Sequence, residues 1–334
     1  MRHLLCAAGM GLLLAGGAAS AAELEVGQGK TYQKPSEAIK AAQSGDVIRI
    51  DGGEYFDCAL VRADHLLIEG VEGGEPAVMT DSACAGKAIL IAVGNDITIR
   101  NLTLARARVP DGNGAGIRGE GKNLTIDKVR FVNNQMGILA NADGSAILVK
   151  DSQFVDNGAN ERSEVLHAIG IGRAASLHVE GSRFVGTRGF SDVKSGAAVT
   201  ELVGNSFEGG EKSTASYMVE ATEGGSVLLR DNHFTIAAKQ AGLKAAILLG
   251  ADGDQPVGKL AIAGNSVENQ SGQSIPFVRN MSGESVLMND NKLSGMSTDI
   301  TSSGSLKHRI GNLVRSLKDG VRHLLGQIRH AVSR

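Results

Sequence analysis

Asp192, Lys194 and Glu220 are the side chains whose types and spacing best suit chemistry in this 334-residue chain, with Arg118 as a fourth. Asp192 and Lys194 stand two apart in Ser191-Asp-Val-Lys-Ser195, a segment of strand-like alternation, so simple alternation sends both to one side. Glu220 holds the place of Lys194 in a similar segment, Tyr217-Met-Val-Glu-Ala221. A lysine or arginine acts as a general base if its pKa is depressed, and a neighbouring acid then holds substrate or a metal ion. The same side chains also read as a surface ion pair of little worth to stability. Which reading applies depends on the elements that carry them.

Those elements repeat. Between Asp96 and Leu293 one pattern occurs eight times: apolar-x-apolar-x, then usually Gly, Asp or Asn, often Asn or Ser, then x and a closing Phe, Leu or Val. Examples are Ile97-Thr-Ile-Arg-Asn-Leu-Thr-Leu104, Leu177-His-Val-Glu-Gly-Ser-Arg-Phe184 and Val227-Leu-Leu-Arg-Asp-Asn-His-Phe234. The closing residues fall at 104, 131, 154, 184, 207, 234, 267 and 293, a varying period of the kind that marks a solenoid. Period-two alternation followed at once by turn formers makes each unit a strand, and stacked coils bury the apolar side that one coil cannot. The repeats are Gly-rich and lack the helical half of a leucine-rich horseshoe. The expected fold is all-β, a right-handed parallel β-helix with a short N-terminal cap helix and a C-terminal amphipathic helix.

A second strand recurs in each repeat, as in Ala115-Gly-Ile-Arg-Gly119, Met136-Gly-Ile-Leu-Ala140 and His167-Ala-Ile-Gly-Ile171. Taking Ile117, Ile138, Ile169, Val193, Val219, Ile247 and Phe277 as inward predicts outward columns that read Gly116, Gly137, Ala168, Asp192, Met218 and Arg118, Leu139, Gly170, Lys194, Glu220. One face is then nearly bare apart from a few charges, a groove suited to an extended glycan. Arg118 would lie three coils, roughly 14 Å, from Lys194. Lys194, Glu220 and Asp192 are the candidate catalytic residues; Arg118, Asp111, Asn113, His167 and Tyr217 are candidates for substrate binding. Asp111-Gly-Asn-Gly114 resembles part of a calcium loop without its later ligands, so no cofactor is expected and calcium has no further support. His65, His178 and His233 show no metal-ligand spacing.

A net charge of −2 argues against a nucleic-acid partner, and no mid-chain run is long and apolar enough to span a bilayer. Residues 1–21 read as a signal peptide: Met1-Arg-His, an apolar stretch from Leu4 to Gly17, and Ala19-Ser20-Ala21 as cleavage site. The mature protein is therefore expected to be secreted or periplasmic. Cys58 and Cys84 stand one coil apart, within disulfide reach in an oxidising compartment, with two buried thiols as the alternative.

Residues 22–56 form the expected N-terminal cap and first strand, with a short helix after Pro35 and Ser36 as its N-cap. The β-helix is assigned to 57–300. In 301–334, apolar residues from Leu306 to Val332 keep helical spacing beside a basic face of Lys307, Arg309, Arg315, Lys318, Arg322 and Arg329. Such a helix caps the solenoid, docks on a protein or lies on a membrane surface. A monomer is expected.

The segments Arg106-Ala-Arg-Val-Pro-Asp-Gly-Asn-Gly-Ala-Gly-Ile-Arg118, His167-Ala-Ile-Gly-Ile-Gly172, Val193-Lys-Ser195 and Ser216-Tyr-Met-Val-Glu220 resemble those of right-handed parallel β-helix repeat-containing proteins, in the pectate-lyase-like superfamily. In that family the second segment typically reads His-Gly-Ile-Tyr-Val-Gly and the third Lys-Ser-Arg-Ala; here Gly170 and Gly196 replace the Tyr and the Arg. The resemblance implies the β-helix fold and, by analogy, a polysaccharide partner. Two functions follow as expectations: a polysaccharide lyase or epimerase-like enzyme, and a non-catalytic glycan-binding or envelope scaffold.

Overall fold

The computed structural model describes residues 21–158, 166–240, 242–250, 253, 255–295 and 299–302. They form an all-β, right-handed parallel β-helix of about 10 coils with one short helix. Apart from Ala21, the expected signal peptide lies outside the described residues. So does the expected C-terminal helix, except that Thr301 and Ser302 belong to a last strand, Ile300–Ser302.

Each full coil lays a strand on each of three faces. Ala115–Gly119, Leu124–Asp127 and Arg130–Val132 make one such coil, on the first, second and third face in turn. In two coils the first and second faces run together as single bent strands, His167–Glu180 and Ser191–Val203. The repeated pattern is the second face, a corner and the third face. Its opening residues Ile97, Leu124, Ile147, Leu177, Thr200, Val227, Leu260 and Val286 are in register from coil to coil.

The closing phenylalanines stack inside. Phe131, Phe154, Phe184, Phe207 and Phe234 lie with ring centroids 4.7 to 4.9 Å apart, within 7° of parallel. That spacing is the distance between paired strands, so each ring repeats the backbone register in the core.

The corner divides its work between two consecutive residues. The first adopts the left-handed conformation, as at Asp231 (φ 57°) and Asp290 (φ 53°), which turns the chain. The second points inward and binds its neighbours: the Asn232 side-chain oxygen accepts from the Asn205 backbone N–H at 2.9 Å, and its amide donates to the Leu202 carbonyl at 2.8 Å. Asn265 repeats both bonds one coil on, so a buried ladder satisfies polar backbone that would otherwise be stranded at each corner.

At the N-terminal end the helix Pro35–Ala41 buries Pro35, Ala38 and Ile39. Its N-cap is Lys34, not Ser36; the Glu37 carboxylate accepts from the Gln33 and Lys34 backbone N–H groups, and Ser36 instead donates its own N–H to Asp57 at 2.7 Å. Cys58 and Cys84 are disulfide-bonded with 5.5 Å between their Cα atoms. They are not register equivalents, because Ala59, next to Cys58, pairs with Leu90, so the bridge reaches from the strand edge to the preceding loop.

Candidate functional site

The first face does not follow simple alternation. Its ladder pairs Ala115 with Met136 and then Ile117 with Ile138, leaving Gly116 and Gly137 between rungs. A Cβ on Gly116 would lie 2.7 Å from the Phe131 ring, and one on Gly137 2.9 Å from Phe154, so this position points into the core. Ala168 and Met218, at the same place in their coils, belong to the core as well.

Asp192 occupies that inward column. It is 4% exposed, and the expectation that it shares the groove with Lys194 is corrected: the local kink puts two successive residues, Asp192 and Val193, inside. Burial pushes its carboxyl up to about 7. The Thr187 hydroxyl beside it offsets part of that cost without forming a well-aligned hydrogen bond.

The residue before the kink takes the outward place. One outward column reads Ala115, Met136, His167, Ser191, Tyr217; the other reads Arg118, Leu139, Gly170, Lys194, Glu220, Leu248, Arg279. The last equivalent of Ile247 is Val278, one residue beyond Phe277. Arg118 is three strand spacings from Lys194, as the repeat predicts.

Lys194 is the centre of the open part of this face. Its Nζ lies 3.7 Å from Glu220 Oε1 and 3.9 Å from Glu223 Oε1. A depression of about 450 Å³ on one side is lined by Asp111, Asn113, Arg118, His167, Gly170 and Lys194. On the other side one of about 350 Å³, lined by Arg173, Thr222 and Gln255, shares Lys194 and Glu223. The two make a groove along the helix axis with cations and carboxylates interleaved.

His167 and Glu220 are joined behind Lys194. His167 Nδ1 is 2.7 Å from Ser191 Oγ, and Ser191 Oγ donates to Glu220 Oε2 at 3.4 Å. Burial, and then the positive charge of Lys194, push the His167 imidazole down to about 3, so it is neutral at ordinary pH. Tyr217 follows Ser191 in the column, and Phe190 touches both Tyr217 and His167 edge-on, at 5.6 and 6.3 Å between ring centroids. Burial raises the Tyr217 hydroxyl above its ordinary value. Among the described residues no group of three or more His, Cys, Asp or Glu side chains is placed to hold a metal.

Among solved structures the chain is similar to Escherichia coli YbhC, at 13% identity over 88% of this chain and 89% of that one, with a TM-score of 0.51. It is also similar to an alginate lyase from Paenibacillus (12% identity, 85% and 98% covered, TM-score 0.49) and to a pectin methylesterase in complex with a hexasaccharide (12%, 86% and 91%, 0.42). The likeness to YbhC shows the fold, a parallel β-helix. No family model matches the chain, and no curated protein matches its sequence.

On this scaffold the structure brings together Lys194, Glu220, His167, Arg118, Asp111 and Asn113, leaves Tyr217 buried beside Ser191 and lining neither depression, and removes Asp192. Ser191, buried behind the groove, and Glu223, Arg173, Thr222 and Gln255, which line it, are the residues that sequence reasoning passed over. The signal for Ser191 was present: Gly116, Gly137 and Ala168 are small in one column because phenylalanine rings press on it, which marks that column as inward and the one before it as outward.

Proposed function

We propose that this is an exported polysaccharide-active protein whose first-face groove holds an extended glycan and whose chemistry is lyase- or epimerase-like, centred on Lys194. The observation that carries this reading is the pair of adjoining depressions that meet at Lys194 and share its partner Glu223. Abstraction of a sugar proton beside a uronate carboxylate needs a cation against that carboxylate and a base within reach of the carbon. Arg118 and Lys194 supply cations a few sugar units apart, Glu223, which lines both depressions, takes the sugar proton, Glu220 holds Lys194 in place, and Asp111, Asn113 and His167 offer contacts to sugar hydroxyls. The disulfide supports export, since such bonds persist in oxidising compartments.

The test is to incubate the purified protein with alginate and polygalacturonate and follow the ultraviolet absorbance of unsaturated products. Lys194→Ala is expected to abolish product formation; a full rate in that variant would remove Lys194 from the chemistry. The second reading, a non-catalytic glycan-binding scaffold, is favoured by one feature: Lys194 already lies within 4.0 Å of two carboxylates. Glycan binding without any product would decide for it.

A further inference from the structure

We infer that the groove floor over Gly170 is a subsite for a sugar hydroxyl, which donates to Nε2 of His167, an imidazole held in one tautomer from behind by Ser191 and Glu220. This deepens the polysaccharide reading and rests on it.

The direction of the hydrogen bonds fixes the tautomer. The Ser191 hydroxyl donates its single proton to Glu220 Oε2. Ser191 Oγ is then left to accept from His167 Nδ1–H at 2.7 Å. A neutral imidazole protonated at Nδ1 carries its lone pair on Nε2. Among the described residues Nε2 has no hydrogen-bond partner.

His167 lines the larger depression with Gly170. Gly170 projects outward in the column of Arg118 and Lys194, and a Cβ there would lie 3.5 Å from His167 Cδ2, the atom bonded to Nε2. That Cβ would also lie 2.6 Å from Met136 Cε, so a larger residue would fill the space above the imidazole edge. Glycine at 170 leaves room for a ligand atom between His167 and Lys194.

The surroundings keep the imidazole in this form. Burial and Lys194 on the next coil oppose its protonation, while Glu220 on the second coil is joined to it through Ser191; Tyr217 is the remaining titratable group of the column. A fixed lone pair accepts from a hydroxyl and repels a carboxylate. The subsite over Gly170 therefore selects a hydroxyl, and the carboxylates of an acidic glycan are directed to Arg118 or Lys194.

Nitrogen-15 NMR of the full chain with labelled histidine tests the tautomer without any glycan. The expected result is a neutral His167 bearing its proton on Nδ1 from about pH 8 to about pH 5, and an Nε2–H form in Ser191→Ala. An Nε2–H form in the wild type, or a midpoint near the ordinary value of about 6.5, would overturn the inference. Calorimetry with cellohexaose and a polygalacturonate hexamer tests the subsite. His167→Gln, whose side-chain oxygen is an acceptor, is expected to bind within about threefold of wild type, and His167→Leu about tenfold more weakly. Equal affinities for the two variants would overturn the subsite. If neither sugar binds the wild type although the tautomer is as expected, the polysaccharide reading falls and takes the subsite with it.

Discussion

The second face and the first face are made by the same coils, yet their outward charges are arranged on different principles. On the second face Arg49, Glu69, Arg100, Asp127, Lys150 and Glu180 follow one another on successive strands with alternating sign. Arg49 lies 3.2 Å from Glu69, Arg100 3.6 Å from Glu69 and 3.0 Å from Asp127, and Lys150 2.9 Å from Glu180. On the first face the corresponding column breaks off at Leu139 and Gly170, and its hydrogen bonds run back toward the floor through Ser191. An unbroken alternating ladder fixes register and leaves no place for a ligand. A ladder interrupted by glycine, with a histidine held from behind, keeps surface open.

The largest expected effect breaks the comparison from inside the first face. Asp192 shares a strand with Lys194 but lies in the core, and its carboxyl is raised to about 7. The folded state therefore holds a proton that the unfolded state releases near the ordinary value of about 3.9. Stability is full below that value and falls as pH rises through the folded pKa, by on the order of 4 kcal/mol. Asp192→Asn, which keeps the shape and needs no proton, is expected to flatten this slope and to be the more stable protein at pH 8. Denaturant unfolding across the pH range measures it, and an unchanged slope would return Asp192 to the solvent-facing side.

Next in size is the corner ladder that both faces depend on. Asn232→Ala removes the acceptor for two bonds from Asn205 and the donor to Leu202, all buried. A loss of about 3 kcal/mol is expected, because a buried amide and carbonyl are left without partners. Glycan binding by the folded fraction should be untouched, since the ladder does not line the groove. A binding defect larger than the folded fraction accounts for would show that corner and groove are coupled.

Most of the fold was legible in the sequence, because a solenoid writes its register into every repeat and each copy corrects the others. The closing Phe, the αL corner and the ladder Asn each recur at one place, so errors in one coil are outvoted. The first face was legible only in part. Arg118, Lys194 and Glu220 fall where alternation puts them, since the kink comes before Ile117 and its equivalents. Asp192 and Ser191 do not, because one residue per coil drops out of the ladder and shifts everything ahead of it by one position. Alternation cannot register such a slip; only the small residues facing the phenylalanine stack betray it. Glu223 lies beyond the strand, where a repeat carries no register at all.

The groove itself supplies the sharpest contrast in kind. Lys194→Ala and Arg100→Ala each delete a partly exposed cation with two carboxylate neighbours, and each should change stability by no more than about 1 kcal/mol. Only Lys194→Ala is expected to lower glycan affinity, by about tenfold. Parallel unfolding and calorimetry on the two variants would break the comparison if both, or neither, weakened binding.

The smallest effect belongs to the end of the second-face ladder. His178 lies 3.0 Å from Glu180 and 3.1 Å from Glu201, and its hydrogen bond, followed by that of Lys150, holds the Glu180 carboxyl below its ordinary value. With the folded pKa depressed, Glu180 contributes stability above the unfolded value of about 4.3 and loses it as pH falls through the folded one. The groups are partly exposed, so salt screens much of this. His178→Ala should shift the acid limb of unfolding slightly toward higher pH and leave the neutral limb, set by Asp192, where it was. A shift of the neutral limb instead would mean that the two faces share their electrostatics, and that the ladder does more than hold register.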